Sequence, residues 1–243
     1  MKKTLLTKLK TPTFPLLLPA YLLFFLFCTG TGIGQNRALG SWSILNLKYS
    51  LNEKWSIFAE GQLGSLKFYD DFYFHDLKGG VSYKINKNVH VTLVAGDYDT
   101  FREGGNFVLP RVNNEFRIWP QLIVMQPFHK FKVEHRYRTD FRFTSNGYRN
   151  RYRYRLSLFL PLGKEKNGYP HFQLCVGNEL FFTDKGPYFE RNRVLCYFNC
   201  KISKNTALLA GFMHQFDYKL TKQSSQDYLL LGVFTEILHK KQP

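Results

Sequence analysis

The chain has 243 residues, enough for one ordinary domain or one β-barrel, with a formal net charge of +16 and 17% aromatic residues. After residue 40 it shows almost no helical periodicity and no run of 20 apolar residues, which argues against a helical bundle and a helical membrane span. Few cysteines remain beyond the first residues, at spacings that fit neither a disulfide framework nor a zinc site.

The first element is a targeting segment. Lys2, Lys3, Lys8 and Lys10 form a positive n-region, and "LLLPAYLLFFLF" from Leu16 to Phe27 forms an apolar h-region. Gly32-Ile33-Gly34 supplies small residues at the two sites a signal peptidase reads. Cleavage is therefore expected before Gln35, with residues 1–34 a signal peptide and 35–243 the mature domain. The apolar run is shorter than the roughly 20 residues of a spanning helix, which favours a removed signal over an anchor. Phe27 precedes Cys28 where a lipoprotein signal needs a small residue. Without the four lysines the mature charge is 16 − 4 = +12. An exported basic chain meets lipopolysaccharide, acidic polysaccharide or an anionic solute, and export argues against nucleic acid.

Strand-length segments with period-two alternation follow near 41–50, 55–65, 72–84, 89–100, 111–124, 130–143, 148–160, 171–182, 188–202, 206–219 and 227–238. The breaks "LNEK", "INKN", "QPFHK" and "SKN" are tight. "SLKFYDD", "REGGNFVLP", "TDKGPY" and "TKQSSQ" are mostly longer. Short turns at one end and longer loops at the other predict an all-β, transmembrane, antiparallel up-and-down β-barrel in the bacterial outer membrane. Bacterial barrels of one chain usually have an even strand number. The expectation is about 12 strands, through an extra short strand near residues 35–41, with 10 as the alternative.

The strand faces carry opposite chemistry. In "YRNRYRYRL", Arg149, Arg151, Arg153 and Arg155 share one face, and Tyr152, Tyr154 and Leu156 the other. In 130–143, Glu134, Arg136, Arg138 and Asp140 oppose Val133, His135, Tyr137 and Phe141. Glu179 opposes Leu180, and Arg191 and Arg193 oppose Val194. A bilayer requires apolar residues outward and polar residues inward. The candidate site is a charged lumen network of Glu115, Arg117, Glu134, Arg136, Arg138, Asp140, Arg149, Arg151, Arg153, Arg155, Glu179, Arg191 and Arg193. If "TSNG" turns so that Phe143 pairs with Tyr148, Arg138 faces Arg153 and Arg136 faces Arg155. Opposed like charges destabilise a sheet. Glu115, Glu134, Glu179 and Asp217 are the acids expected to neutralise them.

The ordered segments "LNEKWSIFAEGQL", "NEFRIWPQL", "EHRYRTDFRF", "RNRYRYRLSLFLPL", "VGNELFF" and "FERNRV" resemble the DUF2490 family of uncharacterised Bacteroidota outer-membrane proteins. The resemblance runs from about Trp42 to Phe234. It implies an outer-membrane β-barrel and supplies no activity.

The main expectation for function is a structural barrel whose lumen is plugged by its own Arg/Glu/Tyr network. The alternative is an anion-preferring pore or binding cavity, in which surplus arginine draws anions. The second alternative is an outer-membrane lipid-modifying hydrolase. His135 and His214 fall on faces assigned to lipid, and no serine shares an obvious face with a histidine, so no catalytic residue is assigned. Asp97 and Asp99 share a face near "REGG", too few oxygens for calcium. No metal or cofactor is expected. "REGGNF" and "DLKGGVS" fit no phosphate-binding pattern. Expected partners are outer-membrane lipid and lipopolysaccharide, and an anionic solute. Cys175 and Cys196 are placed to meet across a hairpin, a pairing left open beside the reading of both as small apolar strand residues.

Overall fold

The computed structural model describes residues 38–166, 169–219 and 223–238. They form β1 (Gly40–Ser50), β2 (Trp55–Lys67), β3 (Asp70–Asn86), β4 (Val89–Arg102), β5 (Val108–Pro127), β6 (Lys132–Thr144), β7 (Gly147–Lys166), β8 (Tyr169–Thr183), β9 (Phe189–Lys201), β10 (Thr206–Asp217) and β11 (Ser224–Leu238). Chain neighbours pair antiparallel, and β1 closes on β11 into a barrel. Each segment of period-two alternation forms a strand, and most run longer than the alternation suggests.

Against the expectation of about 12 strands, with 10 as the alternative, the described residues make eleven. The odd number is accommodated by a parallel seam, with Gly40 opposite Tyr228 and Ser50 opposite Leu238. Lipid demands that every backbone group be paired, and a parallel ladder satisfies that as an antiparallel one does. Of the proposed extra strand near 35–41, Gly40 and Ser41 belong to β1 itself, and residues 35–37 lie outside the described residues. The signal-peptide expectation for residues 1–34 lies outside the described residues.

The contrast between turns and loops is smaller than the composition suggests. Residues 51–54, 87–88, 128–131 and 202–205 connect strands at one end. At the other, 103–107 and 184–188 are the longer connections among the described residues, but 68–69 and 145–146 are tight turns. Most of "SLKFYDD" is zipped into β2 and β3, with Lys67 opposite Asp70. Continued pairing satisfies backbone groups there without a loop.

The wall is inside-out relative to a soluble sheet. Leu77 is 68% exposed, while the side chain of the next residue, Lys78, is 9% exposed. Leu45, Leu93, Phe143, Phe198 and Phe212 likewise face outward. Gly96 lies opposite Lys78. A Cβ there would run into the Lys78 side chain and the Leu77 carbonyl, so the glycine gives Lys78 its room. The β5–β6 ladder lapses at Trp119 and Pro120, where proline has no N–H to donate.

Candidate functional site

The lumen has two chemically different walls. The first is built by β5 to β9, with Asp217 from the end of β10. The β6–β7 hairpin sets Asp140 opposite Arg151, Arg138 opposite Arg153 and Arg136 opposite Arg155. With like charges facing each other, stability depends on acids inserted between them. Glu179, on β8, supplies one. Its Oε1 accepts from Arg136 at 2.6 Å and from Arg153 at 2.8 Å. Glu134 accepts from Arg155 at 3.2 Å. Asp140 pairs with Arg138 and lies 3.8 Å from Arg153. Glu115 accepts from both Arg117 and Arg142. Asp217 pairs with Arg191.

Arg149, Arg151 and Arg142 converge on Glu190, at 2.8 Å from Arg149, 2.7 Å from Arg151 Nε and 3.6 Å from Arg142. Glu190 was not among the sequence candidates, because alternation along "FERNRV" points it outward. A register shift between Phe181 and Phe182 leaves Phe182 opposite Phe189 and Phe181 opposite Arg191. The extra residue is Glu190, and a bulge of this kind re-aims a side chain. The arginines also stack on aromatics. Arg138 lies 3.8 Å from the Trp119 ring and Arg117 3.6 Å from the Tyr98 ring. Arg193 differs from its neighbours. Its Nε donates to Gln215 at 2.8 Å, and its guanidinium lies over the Trp42 and Phe181 rings at 5.0 and 5.2 Å.

Of the thirteen candidates, eleven line one central cavity of about 810 Å3. Asp140 is fully buried behind the surface of that cavity, and Arg149 sits at the loop-end rim with a side chain 36% exposed. Among the described residues, Arg138 Nη2, Arg142 Nη1, Arg149 Nε and Arg155 Nε find no hydrogen-bond partner. On the β2–β4 side, Lys78 bridges Glu60 at 2.8 Å and Asp76 at 3.1 Å.

The second wall, centred on β10, β11 and β1 with Leu195 of β9, carries an apolar stripe on its inner face as well as apolar residues outside. Trp42, Leu195, Leu209, Met213 and Leu230 are buried and pack together, with Ile44 and Phe234 against them. Seven apolar side chains of this wall also line the central cavity. Two tyrosines seal its loop-end edge: Tyr73 and Tyr228 join hydroxyls at 2.8 Å, and Tyr228 meets the Trp42 ring edge-on. Alternation alone assigned this lumen a uniformly polar lining. The missed clue is "YLLLGVF" in β11, which is apolar at both parities.

The cysteine pairing is corrected. Cys175 is buried inside the barrel, opposite Tyr197, while Cys196 is exposed on the outer face opposite Val176, and all three described cysteines are free. Neighbouring positions in a paired register point to opposite faces, so the two thiols cannot meet.

On the outer face, His214 Nδ1 lies 2.6 Å from Asp227, and His135 Nδ1 lies 2.8 Å from the Tyr154 hydroxyl. No serine or cysteine side chain bonds to either histidine among the described residues. Asp99 is held by Arg111 at 3.1 Å, with His75 at 3.6 Å. Among the described residues no three His, Cys, Asp or Glu side chains group as metal ligands. In the 184–188 loop, Asp184 accepts from the Asn150 backbone at 3.0 Å and side chain at 2.8 Å. Against a desolvation cost, these bonds hold its carboxyl below the ordinary aspartate range.

No curated protein matches the chain. Among solved structures, an anion-selective porin from Comamonas acidovorans is similar at 14% identity and a TM-score of 0.37. The similarity covers 73% of this chain and 55% of the porin, so the chain spans about half of that porin's length. A family model described as a protein of unknown function, DUF2490, matches residues 39–226. With an apolar exterior, a closed barrel and buried Arg/Glu pairs inside, this is an outer-membrane β-barrel protein, and it belongs to the DUF2490 family.

Proposed function

We propose that the barrel is an anion-preferring lumen, in which anions enter the central cavity and are held against the arginine wall. The observation that carries this is the charge surplus around an open volume. Arginines 117, 136, 138, 142, 149, 151, 153, 155, 191 and 193 face six carboxylates, Glu115, Glu134, Asp140, Glu179, Glu190 and Asp217, giving 10 − 6 = +4. Glu60 and Asp76 against Lys78 return one negative charge, and Lys48 at the cavity is matched by Glu236, leaving 4 − 1 = +3. A lumen that served only as a plug would gain from exact neutrality, because each uncompensated buried charge is costly. Rings of arginine or lysine are the standard means of attracting anions into a pore. A cavity of about 810 Å3 is also within the size range of ligand sites, roughly 300–1,000 Å3. Outside, the apolar belt meets outer-membrane lipid. The reading assigns no catalytic residue.

The test is electrical. Purified protein in a planar bilayer under a salt gradient should give a reversal potential on the anion side, and a cation-side potential overturns the reading. A silent barrel that binds radiolabelled sulfate is a binding cavity and not a pore. A silent barrel that binds no sulfate overturns both forms.

A further inference from the structure

The two walls meet at Arg193. Nine of the ten lumen arginines have a carboxylate within 4.0 Å, and Arg193 has none among the described residues. Its Nε is taken by Gln215, its two Nη groups make no hydrogen bond within the described protein, and it lines the central cavity. Register places it at the head of the apolar wall. Arg193 lies opposite Gln215, which lies opposite Gln226. Toward the 51–54 end, the next inward rows are Leu195 with Met213, then Leu230 with Trp42, then Leu209 and Ile44 on either side of Gly232. At about 3.4 Å per residue, the rows from Arg193 to Leu209 extend roughly 20 Å along the strand.

A small inorganic anion has no use for such a stripe. Apolar lining beside an arginine with free donors matches a molecule with an anionic head and a hydrocarbon tail. Burial of a chain contributes about 0.8 kcal/mol per methylene, and a charge-assisted bond fixes its orientation. Resting on the anion-lumen reading and narrowing it, we infer that the cavity binds a single-chain amphiphile, its carboxylate or phosphate head on Arg193 and its tail along Leu195, Met213, Leu230 and Leu209.

The test uses the full barrel in phosphatidylcholine nanodiscs, with empty discs as the blank. Tritiated palmitate should bind saturably and at least tenfold more tightly than hexadecanol, which has the same chain without the charge. Competition by lysophosphatidate against palmitate distinguishes a phosphate head from a carboxylate. Arg193→Gln should weaken palmitate at least tenfold, with hexadecanol unchanged and the heat-modifiable gel shift retained. Arg193→Lys, which keeps the charge but loses the planar stacking on Trp42 and Phe181 and the Nε bond to Gln215, should bind palmitate more tightly than Arg193→Gln and less tightly than the parent. Leu230→Asn should weaken palmitate by interrupting the stripe. Palmitate no tighter than hexadecanol, or full palmitate affinity in Arg193→Gln, overturns the inference. A barrel that takes sulfate or shows anion selectivity but binds no palmitate overturns this inference alone. Failure of all three overturns the anion lumen as well.

Discussion

The β5–β9 wall and the β10–β11–β1 wall enclose the same lumen by opposite means. The first holds arginines in register and threads single carboxylates between them, so that Glu179 serves Arg136 and Arg153, and Glu190 serves Arg142, Arg149 and Arg151. The second packs Trp42, Leu209, Met213 and Leu230 as a soluble core does. A charged wall is stable only while every acid is present, because removing one leaves charges buried without a partner. An apolar wall loses stability gradually, by the volume removed. The difference makes the charged wall brittle and selective, and the apolar wall tolerant.

Substitutions can break that contrast at graded cost. The largest effect is expected from Glu179→Gln, which strands Arg136 and leaves Arg153 only Asp140 at 3.8 Å, at about 3–5 kcal/mol. Loss of the heat-modifiable folded band would report it, and an unchanged band would mean the network is not what holds this wall. Leu156→Arg places a charge on the lipid face of β7, with an expected cost of about 2–4 kcal/mol near the midplane. Membrane assembly should fall, and normal assembly would contradict the outward facing of Leu156. Tyr73→Phe removes one partner of the buried hydroxyl pair with Tyr228, at about 1–3 kcal/mol. Its readout is the urea midpoint in lipid vesicles. The smallest stability effect is expected from Arg193→Gln, which leaves no acid unpaired and should cost less than about 1 kcal/mol, within the range of substitutions that break no buried ion pair. The same substitution should nonetheless move the reversal potential toward zero, so function and stability separate at this residue. An equal loss of both would make Arg193 one more strut of the charged wall.

Much of this molecule is legible in alternation. Tyr152 and Tyr154 between Arg151, Arg153 and Arg155 can face opposite media only in a strand, and in lipid the apolar side must be outermost. The hairpin pairing follows from "TSNG" as a tight turn, since register there is fixed by turn geometry. Period-two logic fails where the period is interrupted. Glu190 points inward only because a bulge adds a residue, and the bulge depends on the partner strand rather than on "FERNRV" itself. It also fails in β10 and β11, which are apolar at both parities and so carry no record of which face looks inward.

Side-chain alternation, a local consequence of backbone geometry, is enough to read the strands, their two faces and the arginine-rich interior. The remaining features depend on how the sheet closes. The parallel β1–β11 seam, which replaces an even strand number with eleven, is a meeting of chain ends that local pattern cannot encode. The sharing of each carboxylate among arginines from different strands, and the placing of Arg193 where the charged wall ends and the apolar wall begins, follow from closure of the sheet. Closure brings together residues far apart in sequence, and their pairing energies depend on distances that only the closed barrel sets.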